Sequence, residues 1–372
     1  MFRDASPLIA LNPPALHSGV AVTDVDGDGR FEFVVAGCNG PNRVLRWAGS
    51  QLRDCIVPDL ADISRDAVGV AAGDIDGDGR EELYVLNSNR ADRLFDVQPD
   101  GRWVDLFSAA DDRSFHNRSA GRNVAAIDRR GVGRYGFFIA NHGSAMRLFE
   151  LGRDGSLADL APSLGLALLG GGRGVLTLPV FSEHPDVFCV NEQGPNFAFR
   201  NRRNGTFVEC AGELGLTDPQ EHARGVTAFD FGDGKRFGLC WGNWDGPHRV
   251  MLPRENGTWK DHATPGLAFP SAVRTVIAAD FDNDGHDELF FHNMGEANRL
   301  FAWLPRERQT LQCSTLVRPS TPMVLAPEQP CATSTMMACW NCSYRAGSRE
   351  RSRWASISHA RRRGTASCVC GR

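Results

Sequence analysis

"DVDGDGRFE" stands at residues 24–32, "DIDGDGREE" at 74–82 and "DFDNDGHDE" at 280–288. Aspartates fill positions 1, 3 and 5, a glycine fills position 6 and a glutamate position 9. Only 23% of the chain is charged, yet four carboxylates share nine positions where they repel one another. Oxygens at alternate positions, a turn-permitting glycine and a late carboxylate form a hard-cation pattern. An EF-hand would place its last glutamate at position 12. Here that position holds Val35, Val85 and Phe291, each inside an apolar run, so the loops belong to hairpins. All-oxygen donors favour calcium over zinc, and a flexible loop of six or more ligands favours it over magnesium. The expected ligands are Asp24, Asp26, Asp28, Arg30 and Glu32; Asp74, Asp76, Asp78, Arg80 and Glu82; and Asp280, Asp282, Asp284, His286 and Glu288. Arg30, Arg80 and His286 would serve through their backbone carbonyls, which tolerate any side chain.

The loops recur with a period. Asp24 to Asp74 is 50 residues, and so is Asp230 to Asp280. Worn copies stand at 128–136, "DRRGVGRYG", and at 230–238, "DFGDGKRFG". Neither is expected to bind metal, and Arg129 or Arg130 would act in the first as an internal counter-charge. A fourth unit, around 175–190, lacks the acidic loop. An apolar run such as "GVAVTD" or "GVTAFD" precedes each loop, and another such as "EELYVLN" or "FGLCWGN" follows it. A second turn ("CNGPN", "NEQGPN", "GNWDGP", "NMGEAN") leads to a third run, and a Gly-containing turn leads to a fourth. Short β-branched and aromatic runs bounded by Gly, Asn and Asp read as strands. Four strands per unit of roughly 50 residues, with no helical period, predict an all-β propeller of stacked four-stranded blades. Six blades fit between residues 18 and 308.

The net charge of −4 leaves no basic footprint for nucleic acid. No run of 18 apolar residues exists, so no membrane span is expected. Met1–Asp4 do not read as an export signal. Cys38, Cys55, Cys189, Cys210 and Cys240 are scattered, as buried apolar residues would be. Six more cysteines crowd the last 60 residues. His116, His142, His184, His222 and His248 share no spacing. Trp241, Trp244 and Trp259 fall in one repeat, where blade packing explains them. "GGGRGV" at 170–175 opens no helix and aligns with "HSGV" and "ARGV", so it is a repeat feature and not a phosphate loop.

The motifs "GVAVTDVDGDG", "CNGPNRVL", "NEQGPNFAFRN", "GRGV", "GNWDGPHR" and "VRTVIAADFDNDG" resemble, in order, those of the cartilage acidic protein family, whose FG-GAP/VCBS repeats are similar to integrin α-subunit propellers. The resemblance covers about residues 1–308. It implies a seven-bladed, calcium-binding, secreted glycoprotein of the extracellular matrix with an unidentified protein or glycan partner. Sequons at Asn117, Asn204 and Asn256 agree with that, and the last two are also Asn-Gly hairpin turns. The leading expectation is a non-catalytic binding module. The alternatives are the propeller of a carbohydrate-active enzyme and a fragment without function of its own.

"MFRDAS" repeats the pattern of "TFVECA" and "TWKDHA": aromatic, any, acidic, any, small. Phe2–Ser6 is therefore expected to be the outer strand of the last blade. Residues 309–372 abandon the strand grammar and are rich in Cys, Ser and Arg. They read as a poorly spaced zinc knuckle, a basic disordered tail, or an out-of-frame translation. For the last, the codons of residues 336–342 force D-G-x-L-E-L in the neighbouring frame, the trace of a seventh acidic loop.

Overall fold

The computed structural model describes residues 5–317, apart from 14, 63–65, 89, 110–116, 232–235 and 305–306. The strands fall into six four-stranded units. The first is β1 (Leu16–Thr23), β2 (Glu32–Cys38), β3 (Arg43–Trp47) and β4 (Leu52–Asp54). The second is β5 (Ala67–Gly73), β6 (Glu82–Asn87), β7 (Arg93–Val97) and β8 (Trp103–Asp105). The third is β9 (Ala120–Ile127), β10 (Gly136–Ala145), β11 (Arg147–Leu151) and β12 (Leu157–Asp159). The fourth is β13 (Leu169–Leu178), β14 (Asp186–Asn191), β15 (Phe197–Asn201) and β16 (Phe207–Glu209). The fifth is β17 (Ala223–Asp230), β18 (Phe237–Asn243), β19 (Arg249–Pro253) and β20 (Trp259–Asp261). The sixth is β21 (Val273–Ala279), β22 (Glu288–Asn293), β23 (Asn298–Leu304) and β24 (Glu307–Val317). Each unit is an antiparallel meander, and β10 also pairs with β13, which fuses the third and fourth units into one sheet.

First strands are neighbours around an axis: β1 lies on β5, β5 on β9, β9 on β13, β13 on β17 and β17 on β21. Among the described residues β21 and β1 make no comparable contact. The strand-opening glycines permit the close approach. A Cβ on Gly225 would stand 2.5 Å from the Thr275 Cα, and one on Gly19 would stand 2.9 Å from the Gly69 Cα. Between blades the apolar faces meet in successive clusters. One joins Phe188 and Val190 of the fourth unit to Leu239 and Trp241 of the fifth. Another joins Tyr84 and Leu86 to Phe137 and Phe149. Trp241 and Trp259 belong to this core; Trp244 does not.

Two polar devices repeat and explain parts of the sequence grammar. At the second turn, a residue of the second strand donates its backbone N–H to a side chain five residues on. The acceptors are Asn42, Asp92, Met146, Asn196, His248 and Asn298. At the outer strand, one acidic side chain accepts from the third strand and from the start of a helical turn. Asp105, Asp159 and Glu209 do this, and Asp261 accepts from Val250 of the third strand and from Ala263, ahead of a helix that Thr264 caps. The acid of the "aromatic, any, acidic" pattern is thus a cap. The short helices that follow it, α1 (Leu106–Ala109), α2 (Ala161–Leu164), α3 (Ala211–Leu214) and α4 (Pro265–Ala268), were not expected from the sequence. Each is four residues long, too short to show a helical period.

Two boundaries differ from the sequence reading. Ser6 opens a 3-10 turn, Ser6–Leu8, with Pro7 near its start, because proline's fixed φ suits a turn and its missing N–H suits no ladder. Phe2–Asp4, the remainder of the expected outer strand, lie outside the described residues. The sixth sheet runs past residue 308 to Val317, and the sequence beyond that point lies outside the described residues as well. Cys189, Cys210 and Cys240 are buried free thiols and Cys55 is a half-buried one; Cys38 departs from them in being disulfide-bonded.

His248 gives a pH prediction. It is fully buried, its Nδ1 accepts from the Asn243 N–H at 3.1 Å, and burial lowers its pKa to about 4. The folded state therefore binds fewer protons than the unfolded state between pH 4 and the usual 6.5. Stability present above pH 6.5 drains away as pH falls towards 4, by up to about 3 kcal/mol. His248→Asn, the residue used at this place in three other units, should keep the fold and flatten the urea-midpoint profile in that window. An unchanged slope would show that His248 does not set it.

Candidate metal loops

Each acidic loop joins the first and second strands of a blade. Its first aspartate ties the turn together. Asp24 Oδ1 and Oδ2 accept from the N–H groups of Asp28 (3.1 Å) and Gly29 (2.8 Å). Asp280 does the same for Asp284 and Gly285, each at 3.0 Å, and Asp74 accepts from Gly77 and Gly79. Gly29, Gly79 and Gly285 have φ of +83°, +92° and +92°, the left-handed region where glycine costs least. The fifth-position aspartate accepts from the backbone N–H two residues on: Arg30, Arg80 or His286.

The late glutamate is the buried member. Glu32, Glu82 and Glu288 are 0%, 1% and 3% exposed. Each ties one oxygen to backbone: the N–H of Val25 at 2.9 Å, Ile75 at 2.6 Å and Phe281 at 2.7 Å. Burial pushes Glu82 up to about 8 and Glu288 up to about 7, and the neighbouring aspartates add to both shifts. Carboxylate oxygens converge within 4.8 Å in all three loops: Asp24, Asp26 and Glu32; Asp74, Asp76 and Asp78, with Asp76, Glu82 and Asp96; and Asp280, Asp282 and Glu288. These groups could hold a metal ion, and their all-oxygen chemistry fits calcium.

The third strand makes the loops unequal, a feature the sequence reading missed. The equivalent position there is Arg46, Asp96 and Ala302 in the three loop-bearing units, by sheet register. Arg46 reaches into the first loop, with Nε 2.7 Å from Glu32 Oε1 and Nη2 bonded to Asp26. Those hydrogen bonds raise its pKa. Asp96 instead adds a carboxylate to the second loop. There Glu82 Oε1 is buried without a hydrogen-bond partner.

The worn loop at Asp128 keeps its shape without its ligands. Asp128 accepts from Val132 (3.1 Å) and Gly133 (2.7 Å) as Asp24 does from its own loop. Arg129 is the internal counter-charge, but its partner is Glu150 of β11, on both carboxylate oxygens. In the fourth unit Asp186 takes over the backbone duty of the late glutamate, accepting from Val180, Phe181 and Ser182. An acid opening the second strand was the visible signal for it.

The sequons divide. Asn117 is fully buried and donates to Asp92 (2.8 Å) and Asn141 (3.2 Å), so its amide offers no room for a glycan. Asn204 and Asn256 are exposed at hairpin tips, and their Oδ1 atoms accept from Thr206 and Thr258.

Residues 24–85 match the FG-GAP-like repeat family. Cartilage acidic protein 1 of Xenopus tropicalis is 45% identical over 329 residues, covering 78% of this chain and 51% of that protein. The Homo sapiens protein of the same name is 43% identical over 335 residues, covering 80% and 50%. The chain thus spans about half the length of these curated relatives. Among solved structures, the lead-soaked crystal of BBS1N in complex with ARL6DN superposes with a TM-score of 0.53 at 10% identity, over 82% of this chain and 83% of that one. The mercury-soaked crystal gives 0.50 at 10% identity, over 80% of each. At that identity the likeness concerns the fold alone.

Proposed function

Because this chain belongs to the cartilage acidic protein family, we propose that it is a non-catalytic, calcium-stabilised propeller module that works outside the cell as a binding platform of the matrix. The observation that carries calcium is the second loop: Glu82 brings a carboxylate oxygen within 4.8 Å of carboxylates from Asp76 and Asp96, and its Oε1 is buried and unpartnered. A buried carboxylate without a counter-charge costs several kcal/mol, and a divalent cation removes that cost. Asp74, Asp76, Asp78, Arg80 and Glu82 would hold it, with Asp280, Asp282, Asp284, His286 and Glu288, and Asp24, Asp26, Asp28, Arg30 and Glu32, as the homologous sets. The propeller body is residues 1–308, extended by β24. The disulfide at Cys38 agrees with an oxidising compartment.

Calcium at 100 times its Kd would stabilise the fold by about 2.7 kcal/mol per site. Calorimetric titration and thermal melting with calcium or chelator test this. Equal melting in both would overturn the reading, as would equal loss of binding from Asp128→Ala, which changes a loop lacking the other carboxylates. Mass spectrometry of protein secreted from cells should find glycans on Asn204 and Asn256 and none on Asn117.

A further inference from the structure

The inner strands carry a second repeated feature at the end opposite the acidic loops. The four-residue openings of the six inner strands are "HSGV", "AVGV", "GRNV", "GRGV", "ARGV" and "VRTV". The last four place Arg122, Arg173, Arg224 and Arg274 at one register position, 51, 51 and 50 residues apart. Each is the residue skipped by a β-bulge. The pairings step from Gly121 to Asn123, Gly172 to Gly174, Ala223 to Gly225 and Val273 to Thr275. A bulge re-aims the side chain of its extra residue. Four successive blades therefore turn an arginine out of the ladder at the same height on the axis.

The four guanidiniums converge. Glu192, in the turn after β14, pairs with Arg173 and with Arg224 at 2.5 Å. Trp244, in the turn after β18, lies under both Arg224 (5.1 Å to the ring centroid) and Arg274 (5.4 Å). His142 Nδ1 stands 3.8 Å from Glu192. The Nε atoms of Arg122, Arg224 and Arg274 are buried with no hydrogen-bond partner. Burial and mutual repulsion lower the pKa values of Arg122, Arg224 and Arg274, and burial with the nearby arginines lowers that of His142 as well. Among the described residues Glu192 is the one carboxylate ion-paired with the cluster, and the Arg173 and Arg224 side chains are 14% exposed.

We propose that this arginine cluster is a binding site for an acidic peptide segment of a protein partner, whose carboxylates seat on Arg122 and Arg274 beside the one that Glu192 already supplies. Glu192 displays the chemistry that the cluster accepts: a planar carboxylate taken by guanidinium forks, the pairing for which arginine is pre-organised. Trp244 holds two of the guanidiniums in place by cation–π contact. The site is independent of the acidic loops, which lie at the opposite end of the inner strands, after β1, β5 and β21.

Calorimetric titration of the chain with a hexaglutamate peptide tests the proposal. Binding should weaken as salt is raised. Arg122→Gln combined with Arg274→Gln should weaken it by roughly 100-fold, two charge-assisted hydrogen bonds being lost. That double variant should melt no lower than the parent, since among the described residues neither guanidinium makes an ion pair that offsets its burial. Glu192→Gln should tighten binding by vacating a guanidinium pair. Absence of hexaglutamate binding overturns the proposal, and so does equal binding by the double variant. Tighter binding of a heparin-derived tetrasaccharide would assign the cluster to sulfated glycans instead. Equal binding of propane-1,2,3-tricarboxylate would assign it to a free polycarboxylate.

Discussion

Replacing Glu150 by alanine is expected to cost the fold about 3–5 kcal/mol. Arg129 and Glu150 keep only 10% and 12% of their side chains exposed. Their two-point pairing, Nε to Oε1 and Nη2 to Oε2, is the only ion pair given to Arg129 among the described residues. Removing the carboxylate leaves a guanidinium in low dielectric with one remaining acceptor, the Gly205 carbonyl at 2.9 Å. Arg129 also fastens two blades together, because its own carbonyl accepts from Asn201 Nδ2 at 2.8 Å. The loss should therefore appear as a lowered urea midpoint for the third and fourth units, whose strands share one sheet. Arg129→Met combined with Glu150→Leu should recover most of it, since a well-packed apolar pair can replace a buried ion pair at little cost. A change below about 1 kcal/mol for Glu150→Ala, the level of a surface pair, would show that solvent reaches the guanidinium.

That pair also marks the limit of what the chain reveals when read alone. Blade boundaries, the four-strand unit and the acidic loops were legible because each depends on local chemistry at a fixed period: apolar alternation, Gly at positive φ, and Asp at alternate positions. The counter-charge of the third loop was legible only by half. Arg129 stands in the loop, but Glu150 comes from β11, and nothing local ties the two. Arg46 and Asp96 were invisible as site residues for the same reason, since sheet register brings the third strand under the loop. Two of the four arginines of the inner strands, Arg173 and Arg224, stood in the quoted openings "GGGRGV" and "ARGV", aligned as repeat features. Their convergence needed the bulge, which appears in pairing and not in composition. Asn117 shows the opposite error: a sequon is a three-residue pattern, and burial of its amide depends on Asp92 from the turn before β7 and Asn141 from β10. The capping helices failed for want of length, since a four-residue helix leaves no periodic trace.

The three intact loops should fill with calcium in the order Asp74, Asp280, Asp24. Their own carboxylates are alike, so the order is set by what the third strand brings. At about 5 Å and an effective dielectric near 20, each unit charge acts on another with roughly 3 kcal/mol before screening. Asp96 adds such a charge in favour of a cation at the second loop. Ala302 adds none at the sixth unit. Arg46 opposes a cation at the first, where it already bonds Glu32 and Asp26. Calcium there must displace the guanidinium and forfeit those bonds. Both side chains are partly solvated, so the measured effects will be a fraction of the gross figure. Asp96→Asn should weaken the first-filled site about tenfold, which is about 1.4 kcal/mol. Arg46→Met should strengthen the Asp24 loop by about tenfold or more, while lowering the stability of the metal-free chain because Glu32 loses its counter-charge. Calorimetric titration of the parent and both variants resolves the three steps. Identical affinities at all three loops, or an Arg46→Met variant that binds calcium no better than the parent, would mean that the third strand does not set the order.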